Sequence, residues 1–231
     1  MGLGFERGYA AIATLYPGAE RKDNTGWQGD VIMDRSMIRT YRGGGVEIAA
    51  PGGILQVSAL SSNAVGERDG VLAINGGEVR ILTGLGTIIN KSRILTARGG
   101  DITIWSTYGD IDAGKGRKSS QSNPPRTYLL SPDGSISYRI NPNFSGSGIS
   151  TQKGAPDAAI SDVDLYAPNG IINAGDAGIS VSGNVFIWAP EIINGDNIQA
   201  GGEIKGLNTT RLAVARFALG SDNNANAGPP A

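Results

Sequence analysis

The chain has 231 residues, with 20 basic and 21 acidic side chains and a formal net charge of −1. This balance gives the chain no overall field that would attract nucleic acid or an anionic membrane. Because it contains no cysteine and no histidine, disulfides, Cys/His zinc sites, catalytic thiols and Ser-His-Asp triads are excluded.

The 36 glycines, together with many Val and Ile residues, favour short strands joined by frequent turns rather than helices. No stretch approaches the ~18 apolar residues that a membrane-spanning helix needs, so we expect no membrane span. Residues 1–28 are weakly patterned and are interpreted as a lead-in or an irregular first coil.

A short apolar-x-apolar run then recurs along the chain. Its clean offsets are 23, 22 and 19 residues, and a period near 20 with short strands is typical of one coil of a parallel β-helix. The first and third residues of each run should point inward and the middle one outward. The runs are Val46–Ile48, Val79–Ile81, Ile102–Ile104, Val163–Leu165 and Val185–Ile187, followed by a partial copy at Ile204.

The prediction is therefore an all-β fold, a right-handed parallel β-helix of roughly seven to nine coils, formed by residues 29–206. A second recurrence, Ile-Ile-Asn at 88–90, 171–173 and 192–194, predicts corners at which Asn residues stack and bond to one another. Residues 207–220 form a possible end cap, and residues 221–231 a flexible tail.

Two insertions interrupt the period. The shorter is Ser61–Gly70. The longer, Lys115–Ala159, is predicted to leave the rod, with a β-hairpin formed by two apolar runs around Pro132-Asp133-Gly134, and to rejoin it at Val163.

The longer insertion contains six basic residues against two acidic ones, and clustered Lys and Arg attract sulfated glycans or other anions. It is the candidate binding loop; the alternative is a solvated loop with no partner. The candidate binding residues are Lys115, Arg117, Lys118, Arg126, Tyr128, Tyr138, Arg139 and Lys153.

Trp105, Tyr166 and Trp188 occupy one repeat position, directly after the apolar-x-apolar run. If their coils stack, they form an aromatic row that either binds sugars or packs against the edge of the coil.

The carboxylate pairs Asp110/Asp112 and Asp162/Asp164 could share a face of a strand, as glycoside hydrolysis or calcium binding would need. Turn chemistry also explains Asp110 and Asp162. We expect no catalytic residue, no metal site and no cofactor.

The stretches at 76–116 and 163–190 contain phrases such as Gly-Asp-Ile-Thr-Ile-Trp and Ala-Pro-Asn-Gly-Ile-Ile-Asn-Ala-Gly-Asp. They resemble the C-terminal β-helical region of the filamentous haemagglutinin family, which are large bacterial exoproteins secreted as two-partner adhesins. The resemblance covers about residues 29–206.

This resemblance implies export through an outer-membrane transporter of the two-partner type and a β-helical fibre that is secreted and held at the bacterial cell surface. It also implies adhesion to a glycan or protein of a host or neighbouring cell. The family has no shared catalytic residues to carry over, so we expect a non-enzymatic adhesin segment whose stem displays a binding loop. The alternatives are a polysaccharide-cleaving or polysaccharide-modifying β-helix enzyme and a purely structural stalk.

Overall fold

The computed structural model describes residues 3–17, 28–58, 69–116, 126–130, 133–140, 146–154 and 157–207, without the side chains of residues 3–6, 126–130 and 136–140. In chain order the elements are α1 (Leu3–Leu15), β1 (Val31–Ile32), β2 (Met37–Thr40), β3 (Val46–Ala50), β4 (Ile54–Gln56), β5 (Gly70–Ile74), β6 (Val79–Thr83), β7 (Gly86–Ile88), β8 (Arg93–Ala97), β9 (Ile102–Ser106), β10 (Asp110–Asp112), β11 (Arg126–Leu130), β12 (Ile136–Ile140), β13 (Gly148–Gln152), β14 (Val163–Tyr166), β15 (Ile171–Asn173), β16 (Ile179–Val181), β17 (Val185–Trp188), β18 (Glu191–Ile193), a 3₁₀ turn (Gly195–Asn197), β19 (Ile198–Ala200) and β20 (Ile204–Lys205).

Three parallel sheets of six strands each form the body of the molecule. Sheet I has the order β3-β6-β9-β14-β17-β20, sheet II the order β1-β4-β7-β10-β15-β18, and sheet III the order β2-β5-β8-β13-β16-β19. The chain passes from sheet I to sheet II to sheet III and then begins the next coil. This is a right-handed parallel β-helix, as the sequence predicted.

The apolar-x-apolar runs are the strands of sheet I. Val79 pairs with Ile102 and Val163 with Val185, as the predicted offsets require. The five residues of β6 are buried, exposed, buried, half-buried and buried in turn. The alternation places the first and third residues of each run in the rod interior, which confirms the predicted orientation.

One continuous apolar core fills the rod. Ile104 from sheet I, Ile172 from sheet II and Ile149 from sheet III are all fully buried. Residues of the same type recur at the same register in neighbouring coils, so each coil buries its apolar side chains against the coils above and below it.

In the part of the chain that the structure describes, complete coils are fewer than the seven to nine predicted. The described residues contain five coils that begin with a sheet I strand and continue through sheets II and III, with a partial coil at each end. Insertions account for this difference, because they lengthen two of the coils. The paired residues Val46 and Val79 are 33 positions apart, and Ile102 and Val163 are 61 positions apart.

The insertion predicted at Lys115–Ala159 ends earlier in the structure than in the prediction. Its hairpin is present, with β11 antiparallel to β12, but β13 within the predicted range pairs with β8 and β16 and is a strand of sheet III. The chain therefore rejoins the rod at Gly148 and not at Val163.

Two further predictions differ from the structure at particular residues. Residues 3–15 form helix α1, which the sequence analysis did not predict. In sheet II, Ile88 pairs with Asp112, and Asp112 with Asn173, so the three Ile-Ile-Asn segments do not share one register. Asn173 and Asn194 do bond to each other, with Asn194 Nδ2 donating to Asn173 Oδ1 at 2.8 Å.

The shorter predicted insertion, Ser61–Gly70, lies outside the described residues apart from its last two positions. The C-terminal cap and tail also lie outside them from residue 208 onward.

Candidate functional site

The aromatic row is formed on the outward face of sheet I. Tyr166 is in register with Trp105 on one side and with Trp188 on the other. The rings of Trp105 and Tyr166 lie 5.6 Å apart at 32°. The ring next to Tyr166 on the other side is Phe186, also at 5.6 Å. Trp188 is 40% exposed.

Phe186 was therefore missing from the predicted row. It occupies the outward middle position of its apolar-x-apolar run, where the other four runs carry Glu47, Arg80, Thr103 and Asp164. That departure from a polar position was the available signal.

Helix α1 covers the Trp105 end of the row. The ring of Tyr9 meets that of Trp105 edge-on, at 5.8 Å and 84°. A Cβ atom built on Gly8 would lie 2.7 Å from Trp105 Cη2, so only glycine allows this approach. Asn169 Nδ2 donates to the hydroxyl of Tyr9 at 2.8 Å. These contacts favour the packing interpretation for Trp105.

Burial at this contact also affects the titration of Tyr9. Desolvation raises the pKa of Tyr9, and the hydrogen bond from Asn169 opposes that rise only in part. Tyr9 therefore stays a neutral phenol at physiological pH.

Carboxylates lie beside the other rings of the row. Asp164 is half-buried on the same strand face as Tyr166. Desolvation raises the pKa of Asp164, and the nearby carboxylates of Asp162 and Asp101 raise it further. The pKa of Tyr166 is also raised, by its own desolvation and by the charge of Asp164. The row is thus bordered by negative charge.

One Asp of each candidate carboxylate pair bonds to the backbone of a neighbouring coil. Asp110 Oδ1 accepts a hydrogen bond from the backbone N–H of Ile171 at 2.7 Å, and Asp162 Oδ1 accepts one from that of Asn184 at 2.6 Å. Both donors belong to the next coil. These bonds between coils differ from the local turn bonds that were expected for the two residues, because the donors lie 61 and 22 positions further along the chain.

Asp112 makes a different, local bond, in which its Oδ1 accepts from the N–H of Gly114 at 2.7 Å. Among the residues that the structure describes, no group of three or more His, Cys, Asp or Glu side chains could hold a metal ion.

The candidate binding loop is brought together only in part. The hairpin pairs Tyr128 with Tyr138 and Thr127 with Arg139, while Arg126 pairs with Ile140. Arg117 and Lys118 lie outside the described residues.

The other two basic residues of the loop lie where the insertion borders the rod. Lys115 is exposed, and its N–H bonds to the carbonyl oxygen of Asn90 at 2.8 Å. Lys153 is also exposed and directly follows β13, so a rod strand separates it from the hairpin.

Residues 99–209 match a family model described as "filamentous haemagglutinin family outer membrane protein". This part of the chain is similar to the filamentous haemagglutinin family. The match confirms the resemblance that the sequence phrases indicated. No curated protein and no solved structure matches the chain.

The matched segment runs from just before β9 to just beyond β20. It therefore contains the hairpin β11–β12 and all of the rings of the aromatic row. Both candidate sites lie on the part of the chain that carries the family match. In the described part of the chain, no helix is long and apolar enough to cross a membrane.

Proposed function

We propose that this chain is a segment of a secreted filamentous adhesin at the bacterial cell surface. Its β-helix is the stem, and the insertion that begins at Lys115 is the binding loop. The family description supports this assignment. So does the architecture, because a rigid repeat scaffold with an inserted loop is a common way to present a binding site.

The observation that carries the proposal is that the hairpin is inserted without breaking the rod. β9 pairs directly with β14 although 61 residues separate Ile102 from Val163, and Ile104 and Leu165 on these strands are fully buried. Sheet III also continues, since β13 fills its place between β8 and β16. The insertion thus leaves the strand pairing of sheets I and III continuous.

The chemistry of the insertion favours an anionic partner, because five basic residues and one acidic residue lie between the end of β10 and Gly148. The partner class we propose is an anionic glycan or protein on a host or neighbouring cell. An outer-membrane transporter of the two-partner type would export the full-length protein.

We propose further that the segment is not an enzyme. Glycoside hydrolysis needs two carboxyl groups that are free to act on the substrate, whereas Asp110 and Asp162 are bonded to the backbone of the next coil.

The test is a glycan array that includes sulfated and carboxylated polysaccharides, run beside a depolymerisation assay on the same panel. In the decisive variant, residues 118–145 are replaced by a turn of about four Gly and Ser residues. In a milder variant, Arg126→Ala and Arg139→Ala are combined. The matched control combines Arg42→Ala and Lys205→Ala, two exposed basic residues on the rod.

We expect binding that falls with rising salt, since exposed charges are screened at high ionic strength. Binding should be lost in the deletion, weakened in the Arg126/Arg139 variant and retained in the control. Depolymerisation that disappears in Asp110→Ala, with the fold intact, would overturn the proposal in favour of an enzyme. Binding that survives the deletion would place the site elsewhere, and no binding at all would leave a structural stalk.

A further inference from the structure

Sheet III is covered on both faces in the middle of the rod. All five residues of β5, of β8 and of β13 are buried, whereas the strands of sheet I alternate between buried and more exposed positions. Val71, Ile94 and Ile149 are the inward residues and belong to the rod core. Since side chains alternate across a strand, the outward positions must be buried by something outside the rod.

These outward residues form an apolar cluster of their own. Leu72, Ile74, Leu95 and Ala97 pack together, separately from the rod core. Leu72 and Leu95 are each only 1% exposed. Ser150, at the register position of Leu95 on β13, is also buried. An outward face that is this apolar and this well buried is typical of a sheet that carries a second layer.

The buried part of the outward face of sheet III does not extend along the whole rod. From Ser150, the register of sheet III leads to Ser180 on β16, which is half-buried, and then to Gln199 on β19, which is exposed. The covered patch spans β5, β8 and β13, about 10 Å at the usual distance between strands. A layer of one short hairpin has this width.

The insertion that carries the hairpin β11–β12 begins and ends beside this patch. A Cβ atom built on Gly116 would lie 2.0 Å from Ser147 Oγ, so the two ends of the insertion are in contact. Ser147 Oγ donates to the carbonyl oxygen of Lys91 at 2.5 Å, and Gly148 then begins β13. Both ends of the insertion therefore lie at the start of the sheet III strands.

The hairpin also has the sequence of a strand pair with one apolar face. Apolar or aromatic residues occupy positions 128, 130, 136, 138 and 140, which share one face with position 126, an Arg. The opposite face has Thr127, Leu129, Ser137 and Arg139, so the apolar residues are concentrated on one side, as a second layer requires. An isolated two-stranded hairpin is only marginally stable in water, so this one needs a surface to pack on. The other insertion that enters sheet III, at 59–68, has no alternating apolar run.

We propose that the hairpin β11–β12 packs on the outward face of sheet III as a second layer, and is thereby fixed to the rod. It is a wall of the stem and not a tethered loop. The consequence for binding rests on the proposed adhesin function. In that adhesin, positions 128 and 138 pack against sheet III. The alternate positions, among them Arg139, lie on the hairpin face that a ligand can reach.

The absence of cysteine from the chain allows a direct test by thiol labelling. Leu95→Cys places a thiol on the outward face of sheet III, and Ile94→Cys is the matched control on the inward face of the same strand. Each is made in the full chain and in three backgrounds. These are the replacement of residues 118–145 by a short turn, the pair Leu130→Asp with Ile136→Asp, and a shortened 59–68 loop.

In the full chain both thiols should react slowly. The hairpin replacement should accelerate labelling of Leu95→Cys on the order of 100-fold, as exposure replaces rare local opening, and leave Ile94→Cys slow. Slow labelling of Leu95→Cys without the hairpin, or fast labelling after only the 59–68 loop is shortened, overturns the proposal. If Ile94→Cys also becomes reactive in the replacement, the rod has opened, and the Leu130/Ile136 pair decides by the same criterion. No ligand is involved, so this result and that of the glycan array are independent.

Discussion

The carboxylate of Asp162 accepts a hydrogen bond from the backbone N–H of Asn184, one coil further along the rod, at 2.6 Å. The pattern repeats at the same corner, where Asp101 Oδ1 accepts from the N–H of Asp162 at 2.8 Å. Asn184 Oδ1 in turn accepts from the N–H of Glu203 at 2.9 Å. A column of side-chain acceptors thus satisfies the backbone donors that precede the sheet I strands β14, β17 and β20.

We predict that Asp162→Ala lowers the free energy of unfolding by about 1–3 kcal/mol, because it leaves the Asn184 N–H without its acceptor. Asp162→Asn should recover most of the loss, since an amide oxygen serves the same purpose at Asn184. The measurement is urea denaturation. Asp176→Ala, at an exposed position in the same coil, is the control and should change stability by less than about 0.5 kcal/mol. Equal losses in Asp162→Ala and Asp162→Asn would contradict this explanation.

A second prediction concerns pH. Burial, together with the charges of Asp162 and Asp101, raises the pKa of Asp164 in the folded state. A carboxyl group with a raised folded-state pKa stabilises the fold fully below its unfolded pKa of about 3.9, and this contribution is lost as the pH rises through the folded value. Replacing Asp164 by Asn removes this loss.

Asp164→Asn should therefore gain stability relative to the unmodified chain as the pH rises above about 4. The measurement is denaturation at a series of pH values from acid to neutral, with Asp176→Asn as the exposed control. A difference between Asp164→Asn and the unmodified chain that stays constant across the series would show that titration of Asp164 does not cause it.

Sheet I was predictable from the sequence because one of its faces is buried and the other is not. The contrast between residues such as Ile81 and Arg80 produces the alternation that fixes strand and register. Sheet III gave no such contrast, since its strands are buried on both faces in the middle of the rod. In β13 the only large apolar residue is Ile149, so this strand was read as part of the insertion.

The candidate site was predictable to a similar extent. The repeat placed Trp105 and Tyr166 at one register position, because a constant offset within the coil is all that such a prediction needs. The partners of Trp105 in α1 were not predictable. Gly8 is unfavourable in a helix interior, and the contact that explains it spans nearly a hundred residues. Likewise, Asp101 and Asp162 are 61 positions apart in the sequence, so nothing in the sequence indicated that they belong to one column of acceptors.

The contact between α1 and the aromatic row gives a third prediction. Gly8→Val should lower stability by about 1–3 kcal/mol, because its side chain would overlap the ring of Trp105. The emission of Trp105 should shift to the red as the ring becomes exposed to water. Ala11→Val, at an exposed position of the same helix, is the control for the lower helix propensity of valine, worth at most about 0.7 kcal/mol. An equal effect of the two substitutions would argue against a specific fit of Gly8 to Trp105.

The last prediction separates two effects of replacing glycine at a rod corner. Gly114 has a φ of +94° and Gly134, in the hairpin turn, a φ of +80°, so alanine at either position should cost about 1–2 kcal/mol for the left-handed backbone. A Cβ atom on Gly114 would also lie 1.8 Å from the carbonyl oxygen of Asn90 in the preceding coil, whereas one on Gly134 would meet nothing within 4 Å.

Gly114→Ala should therefore be the more destabilising of the two by several kcal/mol, because the coils must separate at that corner to admit the methyl group. Thermal or urea denaturation of the two variants measures the difference. Amide exchange should show increased opening at Asn90 and Lys115, whose N–H bonds to the Asn90 carbonyl oxygen at 2.8 Å. Similar losses in the two variants would mean that the corner relaxes without strain, and that close stacking of coils at Gly114 does not limit the stability of the rod.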